Sequence, residues 1–192
     1  MQILVKIKSL DRTPDRKEAS KEAYALLSEM LTDRALPDST VKKDGNGRPY
    51  IERTEGDTAP RFDFSLSHAG RHIAVVLAVA ENESEQPRVG IDVEIPHERI
   101  SKEKLAGRFF SSNEKARLEK CGYSDAEFLR IWTRKESYLK FVGTGLSGGM
   151  KEADTENIDA LGVTFTEYGV EGDGDAVVTV CTDNAWLCPT PS

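Results

Sequence analysis

The sequence predicts an α+β fold built on antiparallel sheets, on three observations. The elements run β-α-β-β-β-ααα-β-β. Neighbouring strands mostly follow one another as hairpins rather than through crossover helices. The 192 residues, 38% of them hydrophobic, suffice for one large domain or two small halves.

Residues 2–8 alternate apolar and polar and read as a strand. Thr13-Pro14 opens a helix, with threonine as the cap and proline at the first helical position. Its apolar stripe is Ala19, Ala23, Leu26, Leu27, Met30 and Leu31, and it ends before Pro37. Residues 44–60 carry Gly45, Gly47, Pro49, Gly56 and Pro60 and read as a loop with a short strand at Tyr50-Ile51. RFDFSL and RHIAVVLAVA read as strands, the second buried on both faces, and 81–87 is a polar turn. RVGIDVEIP, 88–96, is a strand with Val89, Ile91, Val93 and Ile95 on one face. One helix follows from Ser101 to about Phe109, a second from Ser111 or Ser112, and a third from Ser124 through Lys140. Ser111 with Glu114, and Ser124 with Glu127, have capping-box spacing. The glycines Gly143, Gly145, Gly148 and Gly149 break the pattern before strands near 162–168 and 176–182. Each half ends in an apolar strand (IAVVLAV, AVVTVCT), a faint likeness that permits an internal duplication.

Composition excludes several classes. The net charge of −7 opposes general nucleic-acid binding, which needs a basic face. No apolar run approaches the roughly 18 residues of a membrane span. MQILVKIKSLD lacks the basic start and long apolar stretch of a secretory leader. Cys121, Cys181 and Cys188 have neither metal nor disulfide spacing, which suits a reducing cytoplasm. Charge is unevenly placed: residues 98–120 hold seven basic against four acidic residues, a local +3, whereas 152–192 hold nine acids and no base. Such runs are ordinary solvated surface or, in the sharper reading, a basic patch for an anionic partner.

Asp92 and Glu94 share one strand face, and ionised carboxylates this close repel. Either the face is open to water, or a hard cation such as Mg²⁺ or Mn²⁺ relieves the repulsion, with Gly90 leaving open space beside Asp92. In FLRIWTRKESYLKF, 128–141, Trp132, Glu136 and Lys140 share a helix face. Glu136 and Lys140 are either a surface ion pair or a metal ligand beside a phosphate contact. In SLSHAGRH, Ser67-His68 ends a strand without a nucleophile elbow, and a turn histidine can donate to a phosphate. His68 and His72 are four apart but not on a helix, so no zinc pair is expected, and His72 reads as a structural histidine. GNGRPY, 45–50, is not a P-loop, but its turn can present one guanidinium to a phosphate.

Together NGRPY (46–50), FSLSHAG (64–70), VGIDVE (89–94), RFFSSNE (108–114) and WTRKESYLK (132–140) resemble the 4′-phosphopantetheinyl transferases, of the larger type that activates surfactin synthetase. The resemblance covers about residues 14–182. It implies a pseudo-twofold α+β fold of two similar halves, 1–88 and 89–192, with coenzyme A between them. It implies Asp92, Glu94 and Glu136 as metal ligands, with Asp92 also beside the coenzyme. His68 and Lys140 become contacts to its phosphates, and Gly47, Arg48, Pro49 and Tyr50 the loop beside the nucleotide, with Ser67 nearby. Of the basic residues Arg12, Arg16, Lys17 and Lys21, Lys21 is the preferred 3′-phosphate contact. The implied reaction is Mg²⁺-dependent (or Mn²⁺-dependent) transfer of phosphopantetheine from coenzyme A to a carrier-protein serine, releasing 3′,5′-ADP. Glu136, Glu114 or a metal-bound water accepts the proton, and Lys140 balances charge. The 98–120 patch would then dock an acidic acyl or peptidyl carrier protein, and a monomer suffices. A metal-dependent nuclease and a non-catalytic coenzyme A-binding or carrier-binding paralogue are the competing readings.

Overall fold

A computed structural model describes residues 1–37, 41–52, 56, 58–96, 101–145, 149–170 and 173–184. It has mixed α and β structure with antiparallel sheets. Cys188, Gly148 and residues 98–100 of the basic segment lie outside the described residues.

The first sheet has the order β1-β5-β4, with β1 Gln2–Ser9, β4 Phe62–Ala69 and β5 His72–Val79. All eight residues of central β5 are buried, as its unbroken apolar run requires. One face carries Ile73, Val75 and Leu77 against helix α1, Arg16–Thr32, whose predicted stripe packs there in full. The other face carries Ala74, Val76 and Ala78 against a second sheet. That sheet has the order β6-β8-β7, with β6 Gly90–Glu94, β7 Val163–Val170 and β8 Asp173–Asp183. Val89, Ile91 and Val93 join Val178 and Val180 in the core between the sheets. Asp92 pairs with Thr179 across the β6–β8 ladder and therefore faces the opposite side, where α4, Asp125–Val142, lies. Helices α2, Lys102–Phe109, and α3, Ser112–Lys120, cover α4 through Phe110, Leu118, Phe128 and Ile131.

One local reading needs correction, the short strand at Tyr50-Ile51 is present, and two short elements are added to those expected. Helix α1 is capped by Asp15, not Thr13: Asp15 and Glu18 form a reciprocal capping box that satisfies more N–H groups than a single threonine. The 44–60 loop belongs partly to a ribbon of β2, Val41–Lys43, and β3, Pro49–Ile51, joined by an Asp44-centred turn. A single turn, α5, Ile158–Leu161, precedes β7.

Strand β6 meets α4 closely. A Cβ on Gly90 would overlap the Ser137 carbonyl oxygen and come within 2.6 Å of the Phe141 nitrogen. The expected open space beside Asp92 is thus filled by helix backbone, and glycine is there to admit it. Helix α4 ends at Gly143 in the left-handed region (φ 79°), with Arg88 donating to the Phe141 and Val142 carbonyls at 2.6 and 3.0 Å.

Candidate active site

Strand β4 joins the two sheets through side chains on one face. Asp63 accepts from the Val89 nitrogen (2.9 Å), Ser65 from the Ile91 nitrogen (3.2 Å), and Ser67 donates to Asp92 Oδ1 (2.8 Å). Lys140 reaches this seam from α4. Its ammonium donates to Asp92 Oδ1 (2.8 Å), Ser67 Oγ (2.9 Å), the Ile91 carbonyl (2.9 Å) and the Leu66 carbonyl (3.3 Å). Asp92 is 4% exposed, and its Oδ2 is buried without a hydrogen-bond partner among the described residues. A buried carboxylate oxygen left bare is costly, so this atom marks where a further positive partner belongs.

The two other predicted acids crowd the same place. Burial, with the charges of Asp92 and Glu136, raises the Glu94 pKa from 4.5 to about 7. Burial and Asp92 raise Glu136 likewise to about 7. Among the described residues, no three acidic, histidine or cysteine side chains are already arranged to enclose a cation. The donor set nevertheless fits a hard divalent ion: carboxylate oxygens only, mutually repelling, one of them bare.

These shifts fix a sign. A carboxyl whose pKa is raised on folding binds more protons folded than unfolded between 4.5 and about 7. Its contribution is present below pH 4.5 and is lost as pH rises through about 7. His68 opposes this, because burial and then Lys140 and Arg16 lower its pKa. Without divalent ions, the melting temperature from pH 5 to 7.5 is expected to fall more steeply for the natural protein than for Glu94→Gln/Glu136→Gln. Parallel profiles would contradict the crowding.

A cavity of about 530 Å³ opens beside the seam, lined by the 46–49 loop, Arg16, Ser65, Leu66 and the Glu136, Leu139 and Lys140 face of α4. Asn46 ties the loop to α4 by donating to the Gly143 carbonyl (2.9 Å). Gly47, at φ 84°, makes the tight turn.

Asp92, Glu94, Glu136, Lys140 and His68 lie within electrostatic reach of one another, Glu136 and Lys140 line the cavity with the 46–49 loop, and other predicted residues are placed differently. Lys21 is exposed and does not line the cavity; Arg16 does, because five residues on a helix turn the side chain about 140° away. Arg12 is bound to Glu18. Arg48 lines the cavity, but its Nη2 is held by Asp63 and the Val89 carbonyl. Tyr50 stands on β3, 39% exposed, outside the lining. Ser67 is buried and bonded to Asp92 and Lys140 instead of facing the cavity. Glu114 is fully buried: its carboxylate accepts from Lys135 (2.7 and 2.9 Å), the Ser111 nitrogen, and the Thr155 nitrogen and hydroxyl. A group so enclosed reaches no substrate, and its capping role prevails. His72 is 1% exposed, between Ser9 and Asp173 (2.9 Å each). Sequence reasoning passed over Lys135, although it stands beside Glu136 in the same motif.

Known proteins share much of this sequence. The model of the 4′-phosphopantetheinyl transferase superfamily matches residues 88–182, which include β6 and α4. The chain is 36% identical over 147 residues to 4′-phosphopantetheinyl transferase AcpT of Salmonella typhimurium, covering 75% of this chain and 70% of that protein. It is 33% identical over 132 residues to 4′-phosphopantetheinyl transferase psf-1 of Bacillus pumilus, covering 67% of this chain and 47% of the relative. With 4′-phosphopantetheinyl transferase gsp of Aneurinibacillus migulanus it shares 31% identity over 141 residues, 66% of this chain and 51% of the relative. The chain belongs to the 4′-phosphopantetheinyl transferase superfamily, as its motifs implied. Its matches span about half the length of psf-1 and gsp.

Proposed function

We propose that this protein transfers 4′-phosphopantetheine from coenzyme A to a serine hydroxyl of an acyl or peptidyl carrier protein and releases 3′,5′-ADP. The observation that carries the proposal is the bare, buried Asp92 Oδ2 crowded by Glu94 and Glu136 at the edge of a cavity rimmed by Arg16 and Lys140. Asp92, Glu94 and Glu136 would hold Mg²⁺ or Mn²⁺, the two glutamates rotating inward. When bound, the ion neutralises charge on the diphosphate of coenzyme A.

The chain's own residues do the rest. Lys140 and His68 face the diphosphate, and Arg16 takes the 3′-phosphate place expected of Lys21. The 46–49 loop holds the nucleotide. The carrier serine oxygen forms a bond to the pantetheine-bearing phosphorus, and the bond from that phosphorus to the bridging oxygen breaks. The hydroxyl proton passes to Glu136, which lines the cavity, since Glu114 is shut away. The remaining 101–120 basic residues support carrier docking, although Arg117 and Lys102 are paired with Glu127 and Asp125. Two halves, 1–88 and 89–192, in one chain make a monomer sufficient. No described helix is long and apolar enough to cross a membrane. A cytoplasmic setting, where coenzyme A is made and thiols stay reduced, fits Cys121 and Cys181, neither of which is in a disulfide.

Mass spectrometry of an apo carrier protein incubated with enzyme, coenzyme A and Mg²⁺ tests the proposal: the carrier gains one phosphopantetheine unit. An unchanged mass across fatty-acid, polyketide and peptide-synthetase carriers would overturn it. Arg16→Glu is expected to raise the KM for coenzyme A about tenfold or more, as expected for a lost charge-assisted phosphate contact of roughly 1.5–3 kcal/mol. Lys21→Glu should leave it within about twofold. Equal effects would return the 3′-phosphate site to Lys21.

A further inference from the structure

The acids and Lys140 all belong to β6 and α4, yet Asp92 is oriented from the first sheet. Ser67 Oγ lies 2.8 Å from Asp92 Oδ1 and 2.9 Å from Lys140 Nζ. An ammonium only donates, so the hydroxyl accepts from Lys140, and its single proton goes to Asp92. Oδ1 thus receives two donors, Ser67 and Lys140, while the buried Oδ2 receives none among the described residues. The serine, fixed on β4 by the ladder to β5, holds one oxygen and leaves the other bare in a carboxylate whose charge reaches Glu94 and Glu136.

We infer that Ser67 is a positioning residue that orients Asp92 for cation binding, not a contact for coenzyme A. The inference rests on the proposed reading of the acids as a cation site. It also explains why the cation site needs the first sheet, which contributes none of its carboxylates. Without the hydroxyl, Asp92 can rotate and satisfy Oδ2 on Lys140, which removes the bare oxygen.

The test is Mn²⁺ titration followed by electron paramagnetic resonance, without coenzyme A, on the natural protein, Ser67→Ala and Ser67→Thr, with melting curves to show that each is folded. Supporting residues of metal ligands typically govern about 10–100-fold in affinity, and Ser67→Ala is expected to weaken Mn²⁺ binding by about that factor. Ser67→Thr, which keeps the hydroxyl, should recover most of it. Unchanged Mn²⁺ affinity in Ser67→Ala, or a raised KM for coenzyme A alone, would overturn the inference while leaving the transferase proposal standing. Failure of the natural protein to bind Mn²⁺ would overturn both.

Discussion

Replacing Gly90 by alanine is expected to lower the melting temperature by roughly 6–12 °C, or to prevent folding. The added methyl meets backbone, the Ser137 carbonyl and the Phe141 nitrogen, which cannot swing aside as a side chain can. Overpacking of this kind costs about 3 kcal/mol or more, and a chain of this size loses roughly 2–4 °C per kcal/mol. Relief requires β6 to part from α4, and that separates Asp92 and Glu94 from Glu136 and Lys140. A Gly90→Ala protein that survives should therefore also lose divalent-ion binding. Gly107, in α2, is the control: a Cβ there meets nothing within 4 Å, and alanine favours the helix. Thermal melts of both variants decide the matter, and a Gly90→Ala melt within a degree or two of the natural protein would contradict the close approach.

Lys135→Met is expected to destabilise the protein by about 3–5 kcal/mol, because it leaves the fully buried Glu114 carboxylate without its cation. Burial lowers the Lys135 pKa, and the charge and hydrogen bonds of Glu114 draw it back up, so Glu114 favours the charged ammonium. The pair ties α3 to α4, and Lys135 extends the tie by donating to the Ala153 carbonyl (2.5 Å). The double variant Glu114→Gln/Lys135→Met removes both charges and should regain most of the loss in denaturant unfolding. It also separates two roles for Glu114. With that carboxylate enclosed, the refolded double variant is expected to keep the proposed transferase turnover; a stable but inactive double variant would instead make Glu114 the acceptor of the serine proton.

The sequence made legible whatever is local. Alternation in 89–95 put Val89, Ile91 and Val93 in the core and Asp92 opposite, and α4 was readable from its motif and its Ser124 cap. Helix geometry put Glu136 and Lys140 on one face, and both line the cavity. What stayed hidden is set by contacts between distant segments. Gly90 reads as spare room in one dimension, and only the packed helix shows that it admits backbone. Glu114 displays its capping spacing, but its Lys135 partner lies 21 residues away and its Thr155 donor 41. Ser67 and Asp92 are 25 residues apart, joined only because β4 and β6 meet through side chains. That Arg16 and not Lys21 lines the cavity is a matter of helix rotation, and Asp15 outdoes Thr13 as the cap. The motifs name the candidate residues, and tertiary packing decides which of them line the cavity and which are buried behind it.

The most direct test is diffraction from crystals grown with Mn²⁺, using its anomalous signal to locate the ion. The account predicts one peak within ordinary metal–oxygen distance, about 2.0–2.6 Å, of Asp92 Oδ2 and of carboxylate oxygens of Glu94 and Glu136. A fully loaded crystal with no peak at Asp92 Oδ2, or with Mn²⁺ only at a site away from these three side chains, would contradict it.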